Sequence, residues 1–391
     1  MGDEVDTEHP TPDEVWGGLA SDAGTARTAE VLRGRDADPL VTAEIKASVL
    51  PAAWPWMLVA GTEEVLGLLT GQPVDVAGLP EGSVAYPEEP VLVITGRFLG
   101  FAEVVTPILG TMAQATGTAT AAARAKLAAG DRPVYALGAR RLHPAVAAVM
   151  ERAAFLGGCE GVTTVRGVRA LGSGAFAPID HDLALVLGVP DAWLAFDKVV
   201  AEEVPRVATV DTILDERAGA VAAAEALGER LSAVRLDVGE SIRPDLPRLL
   251  REVRWELDAR GHPDVRIVVT GNLSEEDLRS LVRYADAFGV DTPLAAAPPV
   301  PFELELVEVD GRPIARRGGL SGRKTLWRCE NCGNRGITPG RSEAASCPRC
   351  GGSLESLLAP MLARGGRRGP AWRPAQARAR ALREAAAAGA R

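Results

Sequence analysis

Short apolar runs alternate with helical patterns along the middle of the chain. From residue 133 onwards, runs such as PVYALG (133–138) and VRIVVT (265–270) are separated by segments with helical spacing. The clearest of these helices has Asp245 as a capping residue before its first turn and Gly261 as its stop. Continuous apolar strands separated by helices predict a parallel sheet, and repeats of about 22–32 residues predict an incomplete TIM-like α/β barrel.

Other parts of the chain give weaker patterns. Residues 1–20 are acidic and polar and are predicted to be disordered. Residues 40–100 mix turns with short strands, and the small-residue segment 104–130 is typical of a buried helix. The segment HDLALVLG (181–188) fits either a strand or a helix, because periodicity does not separate the two at this length.

Polar residues follow the predicted strands. Active sites of α/β barrels lie at the carboxyl ends of the strands, so these side chains should meet at one rim. Arginines there would bind phosphate or carboxylate groups, and carboxylates would bind ribose hydroxyls or Mg²⁺. The pattern predicts a pocket for an anionic, phosphorylated, sugar-like ligand; the alternative is that each charge only caps a helix or pairs with a neighbour. The residues are Arg140, Arg141, Thr163, Asp211, Thr212, Arg235, Asp237, Thr270, Gly271, Asn272, Asp291 and Thr292.

Composition narrows the class of protein. The chain has 391 residues, of which 47% are hydrophobic, and its formal charge is 43 − 52 = −9, which disfavours nucleic acid as the main partner. The N-terminal sequence is not that of a signal peptide and no apolar stretch reaches 18 residues, so we expect a cytoplasmic protein without a membrane segment. The arginine-rich end of the chain is expected to be a solvated helix or a frayed end, or else a phosphate or RNA contact.

Four of the five cysteines form two CxxC pairs. Cys329 and Cys332 are separated from Cys347 and Cys350 by fourteen residues, and a glycine follows each pair. This spacing is typical of a tetrahedral Zn²⁺ site with four thiolate ligands. All four positions would be filled by protein, so the spacing predicts a structural zinc ribbon. Cys159 is predicted to pack in the core.

Several longer motifs resemble those of the nicotinate phosphoribosyltransferase family, in the branch that carries a C-terminal zinc ribbon. The resemblance covers about residues 20–355. The motifs are LPEGSVAYPEEPV (79–91), ATGTATAAAR (115–124), GARRLHP (138–144), AWLAFDKVV (192–200), VDT (210–212), VRLDVGE (234–240), REVRWELDARG (251–261), DAFGV (286–290), VEVDGRPIARRGGLSGRK (307–324) and the four cysteines.

The resemblance implies a type II phosphoribosyltransferase architecture. After a disordered segment at 1–20, an N-terminal α/β domain would span residues 21–130, and the chain would return to it at about 295–327. The incomplete barrel, as catalytic domain, would span residues 131–294. The zinc ribbon would span 328–356, and a basic Ala/Arg-rich tail would span 357–391. Active sites in the family are shared between the subunits of a homodimer.

The resemblance also implies a reaction. Enzymes of the family join nicotinate to 5-phosphoribosyl 1-diphosphate in NAD salvage, with Mg²⁺ and with ATP hydrolysis through a phosphorylated histidine. It implies catalytic roles for His181, Arg141 and Asp237. The substrate-binding residues implied are Asp22, Arg140, Arg141, Thr163, Asp211, Arg235, Asp237, Thr270, Gly271, Asn272, Gly289, Asp291 and Thr292.

Some contact positions depart from the family pattern. Gly24 stands where the family has an aromatic ring that stacks on the pyridine, and Asp291 stands where it has a phosphate-binding glycine. An acid at 291 would repel a phosphate unless a cation such as Arg235 or Arg243 lies beside it. Asp180 and Asp182 flank His181 and would raise its pKa. Two alternatives therefore stay open: transfer to another nitrogen heterocycle, and a catalytically impaired homologue that senses a nucleotide or acts as a scaffold.

Overall fold

The chain folds into two compact units. A computed structural model describes residues 10–238, 245–340, 346–369 and 371–389. The first unit comprises Met1–Thr120 together with Pro298–Arg391, and the second comprises Ala121–Ala297.

The first part of the chain, up to the long helix α4, has mixed secondary structure. Its elements are α1 (Pro12–Trp16), α2 (Ala23–Gly34), β1 (Leu40–Lys46), β2 (Met57–Leu58), α3 (Thr62–Leu69), β3 (Val74–Gly78), β4 (Val84–Ala85), β5 (Leu92–Arg97) and α4 (Val105–Ala129). The expectation of disorder over residues 1–20 is wrong for residues 12–16. Thr11 and Glu14 form a capping box there, which satisfies free N–H groups of the first turn of α1.

The middle of the chain alternates strands and helices. Its elements are β6 (Val134–Ala136), α5 (Pro144–Leu156), β7 (Gly161–Val162), α6 (Val165–Leu171), β8 (Gly174–Ala175), α7 (His181–Leu187), α8 (Asp191–Val199), β9 (Arg206–Thr209), α9 (Glu216–Leu227), β10 (Leu231–Asp237), α10 (Leu246–Ala259), β11 (Arg266–Gly271), α11 (Glu275–Leu281), β12 (Ala287–Val290) and α12 (Thr292–Ala295). Asp245 caps α10 as the sequence predicts, and the ambiguous segment at 181–188 is helical.

The strands of the second unit form one parallel sheet that curls into an incomplete barrel. Their order is β8-β7-β6-β12-β11-β10-β9. The two edges meet at a single parallel bridge between Ile179, which follows β8, and Ala208 of β9. The helices surround the sheet and pack their apolar faces against it. The resulting core includes Trp193, Val234, Leu250 and Phe288. The predicted incomplete barrel is confirmed.

Small residues line part of the barrel interior, and two aromatic rings fill it. Phe176 enters after β8 and stacks on Tyr135 of β6, with the ring centroids 4.4 Å apart and the planes 19° from parallel. Phe176 packs with Ala233, Val268 and Ala287. The rings supply the volume that these small side chains leave empty.

The last part of the chain, which belongs to the first unit, is largely β structure. Its elements are β13 (Glu303–Val309), β14 (Arg312–Pro313), β15 (Lys324–Cys329), β16 (Arg335–Pro339), β17 (Leu354–Ser356), β18 (Ala359–Ala363), β19 (Gly366–Arg367) and α13 (Pro374–Gly389). The main sheet of this unit is antiparallel, with the order β14-β13-β1-β5-β3-β18-β19, and β16-β15-β17 form a separate small sheet with Cys329 at the end of β15.

The end of the chain differs from the expected solvated tail. Strand β18 pairs with β3 of the main sheet, so this part of the predicted tail is integral to the first unit. Helix α13 buries Ala377, Ala381 and Ala385 on one face, and Glu384 Oε2 accepts a hydrogen bond of 2.7 Å from the Val84 N–H. Alanines at four-residue spacing give this helix an apolar stripe, which outweighs its arginines in deciding where it packs.

In the part of the chain that the structure describes, no helix combines the length and the apolar character that a membrane crossing requires.

Candidate active site

A cavity of about 610 Å³ lies at the carboxyl ends of the barrel strands. Nine of the predicted site residues line it: Arg140, Arg141, Thr163, His181, Arg235, Asp237, Thr270, Gly271 and Asp291. They come from the ends of β10 and β11 and from the segments after β6, β7, β8 and β12. Because the strands are parallel, these distant residues converge at one end of the barrel, where the sequence predicts a site.

Asp237 is the centre of the hydrogen-bond network in this cavity. Arg235 Nη2 donates to Asp237 Oδ2 at 2.6 Å, and the Thr270 hydroxyl donates to Oδ1 at 3.2 Å. Arg235 is 8% exposed and is fixed further by its Nε, which donates to Thr270 Oγ1 at 2.9 Å. A buried guanidinium held by several bonds is oriented before any ligand arrives, which is the condition for electrostatic stabilisation of a transition state.

His181 bridges two strand ends. Its Nε2 lies 3.4 Å from Asp237 Oδ2, and its Nδ1 lies 2.9 Å from Thr212 Oγ1. The hydrogen bond to Asp237 raises the pKa of His181, whereas burial acts to lower it. In turn, the hydrogen bond from His181 and the charge of Arg235 outweigh burial and lower the pKa of Asp237 to about 2. The pair is therefore an imidazolium and a carboxylate over a wider pH range than either group alone would give.

We expect His181 to titrate above the ordinary histidine pKa of 6.5. An NMR titration of the histidine ring signals measures this, with His181→Gln identifying the signal. In Asp237→Asn the midpoint should fall, because the neutral amide no longer favours the imidazolium. Since the folded-state pKa is raised, the pair stabilises the fold below about pH 6.5 and loses this contribution as the pH rises through the raised value. A midpoint that Asp237→Asn leaves unchanged would contradict the assignment.

The source of the raised histidine pKa differs from the prediction. The sequence assigned it to the flanking Asp180 and Asp182. In the structure Asp180 accepts from the His181 backbone N–H at 2.7 Å and from the guanidinium of Arg140. Asp237, which is 56 positions away in sequence, is the carboxylate that acts on the ring.

Asp291 has a cationic partner. Arg141 Nη2 and Nε donate to Asp291 Oδ2 at 2.9 and 3.2 Å. The partners that the sequence suggested differ: Arg235 is bound to Asp237, and Arg243 lies outside the described residues. The Arg141 side chain is 57% exposed, so the ion pair is weak and an incoming anion can compete for the guanidinium.

Asp211 lies behind the cavity and supports Asp237. Its Oδ2 accepts from the Asp237 N–H at 2.6 Å, which fixes the end of β10. Its Oδ1 is buried and has no hydrogen-bond partner among the described residues. Burial raises the pKa of this carboxyl, although the Asp237 N–H and the charge of His181 act against the rise.

The remaining predicted residues do not line the cavity of the second unit. Asp22 belongs to the first unit, where Oδ1 caps α2 by accepting from the N–H groups of Gly24 and Thr25. Asn272 is exposed, and Thr292 begins α12. Gly289 is buried in β12, where a Cβ would lie 2.0 Å from Leu137 Cδ1 and 2.8 Å from Thr270 Cγ2, so a larger residue would displace these side chains.

Two further residues of the site were not predicted. Thr164 lines the cavity beside Thr163, and buried Glu151 holds both threonines. Glu151 Oε1 accepts from the N–H groups of Thr163 and Thr164, each at 2.8 Å, and from the Thr163 hydroxyl at 3.0 Å. A signal was present in the sequence, because Glu151 interrupts an otherwise apolar helix face and a buried carboxylate needs partners.

The four cysteines of the first unit lie together. Their sulfur atoms are all within 4.8 Å of one another, and the Cys329–Cys350 and Cys332–Cys347 Sγ distances are 3.5 and 3.7 Å. Four thiolates around Zn²⁺ at about 2.3 Å stand about 3.8 Å apart, so the arrangement fits a tetrahedral metal site. Among the described residues, these cysteines form the group of at least three potential ligands whose atoms lie close enough together to hold a metal ion.

Comparison with known proteins agrees with the fold. The family model of the quinolinate phosphoribosyl transferase C-terminal domain matches residues 118–305, and that of the N-terminal domain matches residues 22–116. A crystal structure of nicotinate-nucleotide pyrophosphorylase from Pyrococcus furiosus is 43% identical, with a TM-score of 0.94, and the match covers 97% of this chain and 98% of that one.

Named relatives are more distant. Nicotinate phosphoribosyltransferase pncB1 of Mycobacterium tuberculosis is 32% identical over 268 residues, which cover 65% of this chain and 59% of the relative, less than two thirds of its length. The human nicotinate phosphoribosyltransferase is 29% identical over 76% of this chain and 66% of its own length. A crystal structure of human nicotinic acid phosphoribosyltransferase has a TM-score of 0.74 at 20% identity, covers 93% of each chain and supports the fold alone.

The barrel, the rim of arginines and aspartates and these matches define an enzyme of the phosphoribosyltransferase class. The chain belongs to the family of quinolinate and nicotinate phosphoribosyltransferases.

Proposed function

We propose that the chain transfers the phosphoribosyl group of 5-phosphoribosyl 1-diphosphate to nicotinate, giving nicotinate mononucleotide and diphosphate in NAD salvage. The main evidence for the proposal is the cavity at the strand ends. There Asp237 with its partners His181, Arg235 and Thr270, the Asp237 cluster, lies beside the two rim arginines. The names of the relatives support it, since they act on nicotinate or on its nucleotide.

The reaction needs binding and charge stabilisation more than proton transfer. The pyridine nitrogen attacks the anomeric carbon while diphosphate leaves, and positive charge develops on the ribose. The pKa of Asp237 is lowered to about 2, so the group is a carboxylate at neutral pH. It can stabilise this charge and accept hydrogen bonds from ribose hydroxyls. Arg140 and Arg141 lie at the rim, where they can bind the nicotinate carboxylate and the diphosphate.

The charge of the cavity favours a monocarboxylate. Three arginines and three aspartates line it, and His181 adds a positive charge when protonated. Each arginine already has an aspartate partner: Arg140 with Asp180, Arg141 with Asp291, and Arg235 with Asp237. A pyridine with one carboxylate has to displace one aspartate, whereas a dicarboxylate has to displace two. We therefore propose nicotinate, and not a pyridine dicarboxylate, as the acceptor.

The family resemblance implies that the reaction uses Mg²⁺. Because the arginines and aspartates of the cavity balance one another, the cavity has little excess positive charge with which to neutralise the diphosphate. The diphosphate of the donor carries several negative charges, and when bound, Mg²⁺ neutralises part of them. Oxygen ligands fit this hard cation. The candidates to hold it are the carboxylate of Asp237, which lines the cavity, and Oδ1 of Asp211 behind it, which has no hydrogen-bond partner among the described residues.

Asp291→Asn is expected to lower the KM for 5-phosphoribosyl 1-diphosphate several-fold. The change removes a negative charge from the cavity and frees Arg141 for the substrate. Steady-state assays at fixed Mg²⁺ measure it, with the thermal midpoint as a check on folding. Asp180→Asn is a parallel test of the same effect, because it frees Arg140 in the same way at the other side of the rim. A KM that rises in Asp291→Asn would show that Asp291 positions Arg141 for binding.

ATP coupling is a separate part of the proposal and would proceed through His181. Nδ1 lies beside Thr212 and Nε2 beside Asp237, so attack on ATP requires a nitrogen without its proton. The raised pKa of His181 disfavours that state near neutral pH. Transfer rates measured with and without ATP test the coupling. Stimulation by ATP that disappears in His181→Ala supports the coupling, and equal rates with and without ATP rule it out.

We also propose a homodimer. Helix α7, which starts at His181, exposes Leu185 and Val186, and the segment after Thr212 exposes Ile213. Exposed apolar side chains beside a catalytic rim are typical of an interface. Sedimentation equilibrium measures the mass, and Val186→Asp should shift a dimer towards monomer.

Release of diphosphate from 5-phosphoribosyl 1-diphosphate tests the function directly. Nicotinate, quinolinate and nicotinamide are compared as acceptors at equal concentration. Preferential turnover of nicotinate supports the proposal. Turnover of quinolinate instead would reassign the acceptor, and no release with any of the three would remove the transferase proposal.

A further inference from the structure

A second cavity, of about 980 Å³, lies in the first unit, outside the proposed active site. It lies between β3, β5 and β18 of the main sheet and the small sheet that carries β15 and β17. Its volume is within the range of small-molecule pockets. The lining residues are Asp75, Val76, Ala77, Val93, Thr95, Arg323, Thr325, Ser356, Leu358, Pro360, Leu362, Ala363, Arg368 and Gly369.

The floor of this cavity is one face of the main sheet. Strand register places Ala77 opposite Val93 on one side and opposite Pro360 on the other, so the three side chains share a face. Asp75 is opposite Thr95 and lies on the same face two residues along β3. The result is a flat apolar surface with a carboxylate at one end, which suits a planar ring attached to a polar group.

Two arginines that form no ion pair with the described residues stand at the cavity. Arg323 is half-buried, and within the described ranges its guanidinium makes no ion pair; the same holds for exposed Arg368. The next residue, Lys324, shows the contrast, because its Nζ lies 3.0 Å from Glu44 Oε2. A guanidinium that forms no ion pair within the described ranges has donors available for a ligand, and a phosphate or carboxylate is the group that its planar donors fit.

The carboxylate of Asp75 adds a different requirement. Its Oδ1 accepts from the Arg364 N–H at 2.7 Å, which fixes the side chain and leaves Oδ2 as an acceptor. A purely anionic ligand would be repelled by this group, whereas hydroxyl groups would donate to it. Carboxylates bind ribose hydroxyls in this way in nucleotide sites.

We propose that this cavity binds a nucleoside monophosphate. The base lies on Ala77 and Pro360, the ribose hydroxyls donate to Asp75, and the phosphate is bound by Arg323 and Arg368. The site is independent of the phosphoribosyl transfer, because none of the residues assigned to that reaction lines it.

Equilibrium dialysis of the full chain with adenosine 5′-monophosphate, and separately with inorganic phosphate, tests the proposal. We expect the nucleotide to bind at least tenfold more tightly than phosphate, and Arg323→Gln to weaken it at least tenfold. Arg328→Gln is the matched control, since Arg328 lies on β15, which begins directly after Arg323, but pairs with Glu355. It should bind the nucleotide like the unaltered chain, and transferase activity should be unchanged in Arg323→Gln.

Arg141→Gln separates this site from the proposed active site. Nucleotide binding that persists in Arg141→Gln and weakens in Arg323→Gln supports the second cavity. Binding that is lost in Arg141→Gln and kept in Arg323→Gln would place the nucleotide in the barrel and overturn the proposal. Equal affinity for phosphate and nucleotide, or no binding at millimolar concentration, would overturn it as well.

Discussion

Asp237→Asn is expected to lower kcat/KM for phosphoribosyl transfer by about 10²–10³-fold, the usual effect of removing one preorganised electrostatic group from an active site. The amide has nearly the same shape as the carboxylate, so the fold should be preserved. Its charge is absent, however, and Asp237 faces both His181 and Arg235. The variant leaves two cationic groups without their counter-ion at the place where positive charge develops on the ribose.

Diphosphate release at saturating and limiting substrate measures this effect. Asp180→Asn is the control, because it also removes one carboxylate from the cavity but from a partly exposed position beside Arg140. The kcat/KM of Asp180→Asn should stay within tenfold of that of the unaltered chain. Asp237→Asn with near-normal kcat/KM would show that the Asp237 cluster is structural and that the chemistry takes place elsewhere.

Removal of the metal that we assign to the cysteine cluster is the second prediction with a large effect. We expect one Zn²⁺ per chain by elemental analysis, and a fall in the thermal midpoint on the order of 5–10 °C when it is chelated. The four cysteines join β15 to the turns before β16 and β17, and little other core holds these short strands. Without the metal, the small sheet should open and become sensitive to proteases.

The loss of stability after metal removal should extend beyond the small sheet. Arg335 of β16 forms a buried ion pair with Glu89 at 2.7 Å and donates to the Val84 carbonyl at 3.0 Å. Opening of the small sheet would leave Glu89 buried without its partner, which is costly. Cys350→Ser should reproduce the effect of chelation, whereas Cys159→Ala should keep the zinc stoichiometry. A chain that contains no zinc, or that keeps its midpoint after chelation, would contradict the assignment.

The barrel and most of its rim could be predicted because both depend on local pattern. Apolar runs define the strands, and parallel order then brings Arg141, Thr163, Asp237 and Asp291 to one end without further information. The pairs among these residues could not be predicted. Which arginine neutralises Asp291, and which acid raises the pKa of His181, depend on side-chain directions across strands that lie far apart in sequence.

The end of the chain shows a second limit. Its charge pattern is that of a solvated segment, yet Ala377, Ala381 and Ala385 are buried. A stripe of alanines is too weakly hydrophobic to be recognised until its docking surface is known. Asp22 is a third case, because an aspartate at a helix start serves as a cap as readily as it binds a substrate.

The ring pair inside the barrel limits where this site can change its specificity. Phe176 and Ile179 fix the segment that leads to His181, one by filling the barrel and the other by joining its two edges. Substitutions there would alter the histidine and the closure of the sheet together. Arg140 and Arg141 have exposed side chains that neither fill the barrel nor join its edges. Selection for a new acceptor, in evolution or in a library, should therefore change residues 139–141 before residues 176–181.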